Sequence, residues 1–519
     1  MPSSYHHVND VFFGAYTYEI TPRYLAGNVL QPIDPTLTVA VTIQVCPFNI
    51  KSLQIGFTRS FIASQAAASH FGEKVKLKPD HGDPGFQQLL YDTRLNSGHM
   101  QQMINGVLTD VPYSYDDLYS YLGWQVRARV IDFLEEALKD PEISLDVFAF
   151  DLDEPTICQY LLTMAGQGRI RIILDNSTSH VTQPGVAFTQ FEDQFTNQFN
   201  ATKTGNADIK RGCFFSLAHS KVFIQLKNNQ PVKVLTGSTN FSVNGLYVNA
   251  NNVLIFNNPS VAALYEKIFD ASWPDTKAFK ANTDVSAQSF GFNSPAEQNN
   301  INDPTLPQMV IRFSPHPKTF AQKELDDLAA DAETAQSILF AIMNDRSGSA
   351  LLTAIMGKVR HTETFTMGIT DSTTEVLLYS PNSTTGIHVA GRGLRPLLPS
   401  NFKPEPTIEG ISVHHKFVVL NFNTDNGIVI CGSSNLALGP EQENGDNLLV
   451  IRDPDVVTVF GIEAIRLVDH FQFRDKSNKA GGTGNITLHT DSLWTKAYFT
   501  DGDMKSRERL LLTADQPNQ

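Results

Sequence analysis

Four residues of the chain have the types and spacing needed to cleave a phosphodiester. A histidine and a lysine two positions apart, His219 and Lys221, recur 195 positions later as His414 and Lys416. Two lysines can neutralise the charge of a phosphate group without a metal ion. One histidine can attack phosphorus to give a phosphohistidine, while the other protonates the leaving group and later activates water. The pattern predicts a phosphodiester-cleaving enzyme whose single site is built from two halves.

A second repeated segment adds hydrogen-bond donors to this set. Residues 237–240 and 432–435 both read Gly-Ser-x-Asn, again 195 positions apart. An asparagine amide can donate to the non-bridging oxygens of a phosphate, and a small Gly-Ser turn lets the backbone approach the anion. The predicted phosphate-binding residues are therefore Ser238, Asn240, Ser433 and Asn435.

Composition narrows the class of protein. The chain has 519 residues, too many for one compact core, so we expect two or more domains. With 41% hydrophobic and 18% charged residues it is typical of a folded protein, and a net charge of −14 argues against a broad nucleic-acid-binding surface. No apolar run is long enough for a transmembrane segment, and the first residues lack the features of a secretory signal. We expect a cytoplasmic protein, or a secreted one if a signal peptide has been removed.

The four cysteines do not indicate a disulfide framework or a metal site. Cys46, Cys158, Cys213 and Cys431 are widely separated and show no CxxC spacing. Each lies in or beside an apolar run, which is typical of a buried free thiol. A reducing compartment is favoured on this ground.

The chain divides into four regions. Residues 1–115 lack the repeated motifs and contain strand-like runs such as 37–45, so they are predicted to be a β-rich accessory region. Residues 116–285 and 300–475 each carry one copy of the motifs, and residues 476–519 form a C-terminal tail. The stretch 275–307 is rich in Asn, Ser, Ala, Pro and Asp, which is typical of a linker or surface excursion.

Within the two motif-bearing regions the pattern predicts alternating strands and helices. Residues 118–138 have helical periodicity, and 143–150, 155–165 and 170–174 are predicted to be a strand, a helix and a buried parallel strand. In the second copy, 323–335 and 351–359 are predicted helices and 374–379 a strand. Each motif lysine begins a strand (221–226 and 416–420), followed by a turn and a second strand that ends at Gly-Ser-x-Asn. Since alternate residues of a strand share a face, each motif histidine should project beside its lysine.

These duplicated motifs resemble those of the phospholipase D superfamily, whose signature is HxK(x)4D(x)6GSxN in two copies. The resemblance covers roughly residues 116–475. It implies an α/β fold of two pseudo-twofold-related α/β/α sandwich halves that share one active site. One departure is informative: Leu226 and Asn421 stand where the family motif has an aspartate. That aspartate is mainly a structural prop in the family, and tyrosyl-DNA phosphodiesterases, of the same superfamily, also lack it.

A further difference between the copies suggests separate roles for the histidines. The superfamily often has an acidic or amide residue before an asparagine, downstream of GSxN, that orients the motif histidine. It would be Asn251 in the first copy and Asp446 in the second. Because a carboxylate raises the pKa of a neighbouring imidazole, we expect His414, backed by Asp446, to be the general acid. His219, backed by Asn251, should be the neutral nucleophile, and the resemblance also usually puts the nucleophile in the first motif.

Three functions follow as alternatives. The leading prediction is a metal-independent phospholipase D-type enzyme without cofactors, hydrolysing or transphosphatidylating glycerophospholipids as a peripheral protein at a membrane surface. The second is a nuclease or nucleic-acid repair phosphodiesterase, which the missing aspartates favour and the net charge of −14 disfavours. The third is an inactive binding module that keeps the fold.

Other titratable residues are interpreted more simply. His316, His361 and His388 show no ligand spacing, which supports the prediction of no catalytic metal. His6 and His7 are predicted to be a solvated pair. Asp151, Asp153 and Glu154 are predicted to form a solvated turn, and His415 to be packed or solvated on the opposite side of its strand. Arg392 and Arg395 are predicted to lie in a surface loop.

Overall fold

Two eight-stranded sheets form the centre of the computed structural model. It describes residues 14–26, 29–45, 48–60, 64–273, 299–343, 349–359, 364–371, 386–390, 413–479 and 492–513. Among the helices in these ranges, none combines the length and the apolar character that crossing a lipid bilayer requires.

The strands up to residue 256 include the first large sheet and three small two-stranded ones. In chain order they are β1 (Gly14–Ile20), β2 (Leu25–Ala26), β3 (Val29–Leu30), β4 (Val39–Val45), β5 (Asn49–Ile50), β6 (Leu53–Phe57), β7 (Asn96–Ile104), β8 (Val107–Ser114), β9 (Ile143–Ala149), β10 (Ile170–Asp175), β11 (Asp208–Gly212), β12 (Val222–Lys227), β13 (Gln230–Gly237) and β14 (Asn252–Phe256). Pairs β1–β4, β2–β3 and β7–β8 are the small antiparallel sheets.

The remaining strands form the second large sheet. They are β15 (Asn299–Ile301), β16 (Gln308–Ser314), β17 (Ser337–Ile342), β18 (Phe365–Thr370), β19 (Gly386–Ala390), β20 (Lys416–Leu420), β21 (Ile428–Gly432) and β22 (Asp446–Arg452). The first sheet has the order β11-β10-β9-β12-β13-β14-β6-β5, and the second, read from β19, has the order β19-β18-β17-β20-β21-β22-β16-β15.

These two orders describe the same topology. In each sheet the first three strands are parallel and the other neighbours are antiparallel. The chain therefore contains two copies of one fold, called here the first half (residues 49–273) and the second half (residues 299–479).

Helices cover both faces of each sheet. In the first half they are α1 (Gln65–Phe71), α2 (Tyr115–Lys139), α3 (Pro155–Gly166), α4 (Phe191–Thr202), α5 (Val243–Tyr247) and α6 (Pro259–Ser272). In the second half and beyond it they are α7 (Lys318–Thr334), α8 (Ala350–Val359), α9 (Leu438–Glu443), α10 (Pro454–Lys479) and α11 (Met504–Thr513). Short 3-10 helices lie at Pro35–Leu37, Thr178–His180 and Leu493–Phe499.

Local sequence explains why the helices of the first half start where they do. Ser114 and Asp117 form a capping box at the start of α2, and Glu154 caps α3 with Pro155 at its first position. The predicted helices and strands of this half agree with the structure within a few residues. Since β9 and β10 are parallel and α3 connects them, the predicted βαβ unit is confirmed.

The inner faces of the two sheets share one hydrophobic core. It combines residues of both halves, including Phe148 and Phe269 of the first and Phe417 and Phe460 of the second. Separate outer cores lie under α2 to α4 and under α7 and α8. Each half is thus an α/β/α sandwich, with α6 and α10 on the inner side, and the predicted fold class is confirmed. Burying one continuous core between them fixes the two halves against each other.

The first half begins earlier than the sequence suggested. Strands β5 and β6 lie within residues 1–115, yet β6 pairs with β14 and extends the first sheet. The positions of β5 and β6 correspond to those of β15 and β16 in the second half. Strand β6 has only five residues, four of them buried, so no alternating pattern marked it in the sequence.

Candidate active site

Two hairpins carry the repeated motifs to the line where the halves meet. His219 and Lys221 come immediately before β12, and Gly-Ser-x-Asn begins at the last residue of β13. In the second copy Lys416 is the first residue of β20, His414 lies two positions before it, and Gly-Ser-x-Asn likewise begins at the last residue of β21. An isolated bridge between Ala250 and Val413 joins the halves next to these residues.

The motif glycines are required by close backbone packing. Gly237 and Gly432 both have a φ of 142°, and a Cβ at either position would lie 2.4 Å or 2.3 Å from the carbonyl oxygen of Asn252 or Asn447. Any side chain here would push away the strand that carries the histidine partner. The repeated glycine therefore serves the geometry of each hairpin.

Each motif histidine is hydrogen-bonded to a residue of the other half. Nδ1 of His219 lies 2.8 Å from Oδ1 of Asp446. Nδ1 of His414 lies 2.9 Å from Oδ1 of Asn251 and 3.1 Å from the carbonyl oxygen of Ser238. Asn251 and Asp446 do hold the motif histidines, but the predicted pairs, His219 with Asn251 and His414 with Asp446, are wrong. The pairs are crossed because β14 and β22 each begin at the interface, facing the motif of the opposite half.

The hydrogen bonds of Asn251 fix the tautomer of His414. The Asn251 Nδ2 donates to the carbonyl oxygen of Gly245 at 2.8 Å, so its Oδ1 faces the histidine. This Oδ1 also accepts from the hydroxyl of Ser238 at 2.9 Å. With acceptors only at Nδ1, His414 carries its proton there, and Nε2 is left for chemistry. The carboxylate of Asp446 likewise keeps the proton of His219 on Nδ1 and leaves Nε2 for chemistry.

Both motif lysines are buried beside their own histidines. The Nζ of Lys221 donates to the carbonyl oxygen of His219, and Nζ of Lys416 donates to that of His414 at 2.7 Å. Lys221 also lies over the ring of Phe150, with Nζ 4.7 Å from its centroid, and Lys416 lies 3.8 Å from the sulfur of Met343. Burial lowers the pKa of Lys221 to about 7. An anion in the cleft would favour its charged form, so this lysine is suited to respond to a bound phosphate.

Phe150 and Met343 were not identified from the sequence. They directly follow β9 and β17, which occupy corresponding positions in the two sheets, and each contacts a motif lysine. The ring of Phe150 also packs edge-on against His219, at 4.9 Å between centroids. Because Phe150 is aromatic and Met343 is a thioether, the sequence shows no repeated residue type at these two positions.

Electrostatics distinguish the two histidines. Burial lowers the pKa of His219, Asp446 opposes this effect, and Lys221 adds to it. The pKa of His414 is held well below its ordinary value, first by burial and then by Lys416, Lys221 and His219. Burial alone would raise the pKa of Asp446, but His219 and Lys221 outweigh it and keep the pKa low, so this carboxylate is ionised. The site therefore holds one histidine paired with a charge and one paired with an amide.

The Gly-Ser-x-Asn residues divide into two kinds. Asn240 follows β13 and Asn435 follows β21, and Nδ2 of Asn240 lies 3.4 Å from a carboxylate oxygen of Asp151. The hydroxyls of Ser238 and Ser433 are fully buried and accept from the backbone N–H groups of Asn252 and Asn447, both at 3.0 Å. The serines thus brace the strands that carry the histidine partners, which differs from the phosphate contact predicted for them.

In the turn after β9, Asp153 and Glu154 are buried and Asp151 is half-buried, contrary to the solvated turn that we predicted. Asp153 accepts from the N–H of Val243 at 2.7 Å, and Glu154 accepts from the hydroxyl of Tyr247 at 2.9 Å. Both carboxylates therefore anchor α5, which follows the first Gly-Ser-x-Asn segment. Buried carboxylates are normally held by such donors.

Two clusters among the described residues have donor atoms close enough to hold a cation. One is Asp151, His180 and Glu192, and the other is His316, Glu324 and Glu441. His180 is already paired through Nδ1 with Asp175 at 2.9 Å, and burial raises the pKa of Glu192 to about 7. Glu324 is paired with Arg312 at 3.0 Å. Each cluster therefore contains a member that already has an ion-pair partner, His180 in the first and Glu324 in the second.

Several predicted features lie outside the described residues. They are the strand at 374–379, His6, His7, His361, Arg392, Arg395 and most of the stretch 275–307. Of the cysteines that the structure describes, Cys158 and Cys431 are buried free thiols and Cys213 is half-buried.

One family model matches part of the first half. A family model described as "Cardiolipin synthase, PLD-like domain" matches residues 131–273, which include His219, Lys221 and Asn240. A search of curated protein sequences finds no match.

Solved structures with similarity to this chain include three from bacteria. A polyphosphate kinase from Porphyromonas gingivalis is 10% identical with a TM-score of 0.40; the match covers 63% of this chain and 46% of the kinase, less than half its length. A phosphatidylserine synthase from Haemophilus influenzae Rd KW20 is 12% identical with a TM-score of 0.47, covering 76% and 92% of the two chains. Nuc, a phospholipase D family member from Salmonella typhimurium, is 20% identical with a TM-score of 0.24, covering 29% and 87%.

Proposed function

We propose, from the premise that residues 131–273 belong to a phospholipase D-like domain, that this chain is a metal-independent phosphodiesterase acting through a phosphohistidine at His219. The observation that carries the proposal is the crossed pairing of the two buried histidines, each with Nδ1 occupied and Nε2 left for reaction. Two lysines beside them supply the positive charge that a phosphodiester requires.

The reaction needs two displacements at phosphorus. In the first, the lone pair of His219 Nε2 bonds to phosphorus, and the leaving oxygen departs with the proton from Nε2 of His414. In the second, a water molecule gives a proton to His414, its oxygen bonds to phosphorus, and the bond between phosphorus and His219 breaks. Lys221, Lys416 and the amides of Asn240 and Asn435 hold the non-bridging oxygens in both steps. An alcohol in place of water would give transfer rather than hydrolysis.

The crossed pairs support the roles that we predicted for the two histidines, although each histidine has the partner that was predicted for the other. When His219 attacks, its ring becomes a positively charged phosphoimidazolium, and the carboxylate of Asp446 stabilises that charge. His414 must instead release a proton, and the neutral amide of Asn251 orients the ring without holding the proton back. His219 is therefore assigned as nucleophile and His414 as general acid.

Glycerophospholipids are the proposed substrates. A net charge of −14 disfavours long polyanions, because they would be repelled over most of the surface, whereas a single lipid phosphate needs only the local charge of the two lysines. We further propose that the enzyme works as a peripheral protein at the lipid surface.

A direct assay tests substrate and metal dependence together. Wild-type protein in EDTA is expected to release the headgroup of phosphatidylcholine vesicles and to leave single-stranded DNA intact. The variant Lys323→Ala, which removes one exposed ion pair on α7, is the matched control and should retain full activity. Loss of wild-type activity in EDTA would contradict the metal-free reaction, and cleavage of DNA without lipid would replace the proposed substrate by nucleic acid.

The pKa shifts predict an acidic optimum for kcat/KM. The reaction needs His219 neutral and His414 protonated, yet the pKa values of both lie below the ordinary 6.5, that of His414 furthest. Hence kcat/KM, which reports the free enzyme, should be maximal below pH 6.5 and fall as pH rises. A bound phosphate anion favours the protonated imidazole, so the alkaline fall of kcat should occur at higher pH than that of kcat/KM. Coincident profiles of the two parameters, measured on phosphatidylcholine, would contradict this assignment.

A further inference from the structure

His415, the residue between the second motif histidine and lysine, is part of a buried chain of hydrogen bonds. It is completely buried immediately before β20, edge-on to Phe57 and Phe417. Its Nδ1 lies 3.0 Å from Nδ2 of Asn252, and its Nε2 lies 3.2 Å from Oε1 of Glu463. An amide nitrogen can only donate and a carboxylate can only accept, so His415 is neutral with its proton on Nε2. The ring thus connects β14 of the first half to α10 of the second.

Glu463 continues this chain into a second connection between the halves. Its carboxylate binds Arg466 in bidentate fashion, at 2.7 Å and 2.8 Å. The same guanidinium donates to the backbone carbonyl oxygens of Thr58 and Arg59, both at 3.1 Å. These two residues follow the end of β6 in the first half. A bidentate pair fixes direction as well as distance, so Arg466 holds this backbone in one place.

Thr58 in turn holds the backbone of Asn251. The N–H of Thr58 donates to the carbonyl oxygen of Asn251 at 3.0 Å, and the N–H of Asn251 donates to the hydroxyl of Thr58 at 3.0 Å. Asn251 is the residue whose Oδ1 contacts Nδ1 of His414. One connection from Glu463 therefore reaches Asn251 through Arg466 and Thr58, and the other reaches its neighbour Asn252 through His415.

The corresponding positions of the first half, all within the described residues, do not repeat this arrangement. The positions that correspond to His415, Glu463 and Arg466 in the first half, at the offset of 195 residues, are Ser220, Ile268 and Ala271. None of these can form a charged pair. Contacts that only joined the halves could be present in both copies. These contacts instead lead to Asn251, the partner of His414.

We infer that Glu463, Arg466 and His415 form a positioning clamp that sets Asn251 against His414 and so aligns the proton that His414 gives to the leaving group. This inference rests on the proposed function and adds three positioning residues to it. None of the three touches the substrate. They act by fixing the backbone on which the histidine partner stands, as the outer hydrogen-bond partners of catalytic groups commonly do.

The test compares two leaving groups in the variant Arg466→Met. Phosphatidylcholine releases an alkyl alcohol that needs a proton, and phosphatidyl-4-nitrophenol releases a phenolate that does not. The first-turnover rate of release is measured for both, so that the later step with water does not enter. A displaced general acid should slow choline release about 10- to 100-fold, with nitrophenolate release within about twofold of wild type. Arg466→Lys, which keeps the charge, should recover part of the loss.

The controls separate this inference from a purely structural role and from failure of the proposed function. Leu467→Ala removes a fully buried neighbour on the same helix that is not in the clamp. Its rate per folded molecule, divided by that of wild type, should be the same for choline release and for nitrophenolate release. Equal slowing of both leaving groups in Arg466→Met would overturn the clamp while leaving the phosphodiesterase intact. A wild-type protein that releases neither choline nor nitrophenolate would instead refute the proposed function, and the clamp with it.

Discussion

Replacing His414 by alanine is expected to trap the phosphoryl group on His219 when the leaving group is 4-nitrophenolate. Such a leaving group departs without a proton, so the attack by His219 still proceeds. The second step then lacks the base that activates water, and the covalent intermediate should accumulate. The measurement is a burst of about one nitrophenolate per enzyme molecule, as covalent intermediates typically give, followed by slow turnover. The adduct should be acid-labile and map to the peptide that contains His219.

The variant His219→Ala is the counterpart to this result. It removes the nucleophile, so it should show no burst with either leaving group and lose about 10⁴-fold or more in kcat, as loss of a nucleophile does in other covalent enzymes. With phosphatidylcholine, both variants should be equally inactive, because choline needs the acid as well as the nucleophile. An adduct on His414 in the His219→Ala protein would mean that His414 is the nucleophile and His219 the general acid.

The second large effect is expected for Asp446→Asn. The asparagine keeps the size of the side chain but removes the negative charge that faces Nδ1 of His219 at 2.8 Å. It can also present its amide N–H₂ to Nδ1, which would move the histidine proton to Nε2 and block the attack. The comparable loss of a carboxylate behind a catalytic histidine lowers kcat about 10⁴-fold, so we expect a loss of about 10³-fold or more here. The rate of phosphohistidine formation, measured by the nitrophenolate burst, should fall to the same extent.

Two variants control for this effect. Asn251→Asp places a carboxylate beside His414 instead, which should raise the pKa of that histidine and move the alkaline fall of kcat/KM to higher pH. Asp327→Asn neutralises an exposed carboxylate on α7 and should change nothing. If Asp446→Asn and Asn251→Asp gave the same pH profile as wild type, the electrostatic difference between the two halves would have no part in the reaction.

Much of the fold was predictable because both copies of the motif constrain it. The matched offset of 195 residues indicated duplication, and the strands on either side of each turn were recognisable from their apolar runs. The resemblance to the phospholipase D superfamily is confirmed by the match over residues 131–273. Strand β6 was missed because a short, almost fully buried strand has no alternation to detect.

The pairing of the histidines was not predictable from the sequence. Asn251 lies 32 positions after His219, and Asp446 lies 32 positions after His414, so spacing alone favours pairs within a copy. Only the packing of β14 against the opposite motif reveals that the pairs cross. The burial of Asp153 and Glu154 was missed for a similar reason, since their donors come from α5, about 90 residues away. Long-range partners of polar groups leave no local signal.

The crossed pairs also bear on how such a site can become asymmetric. A protein with one half alone could complete a histidine pair only by associating with a second copy of itself, and both pairs would then be chemically identical. Covalent linkage of two halves removes that restriction, since each can change its partner residue independently. In this chain one partner is an amide, Asn251, and the other a carboxylate, Asp446. Joining two halves in one chain thus allows two equivalent histidines to take the different roles that are proposed for His219 and His414.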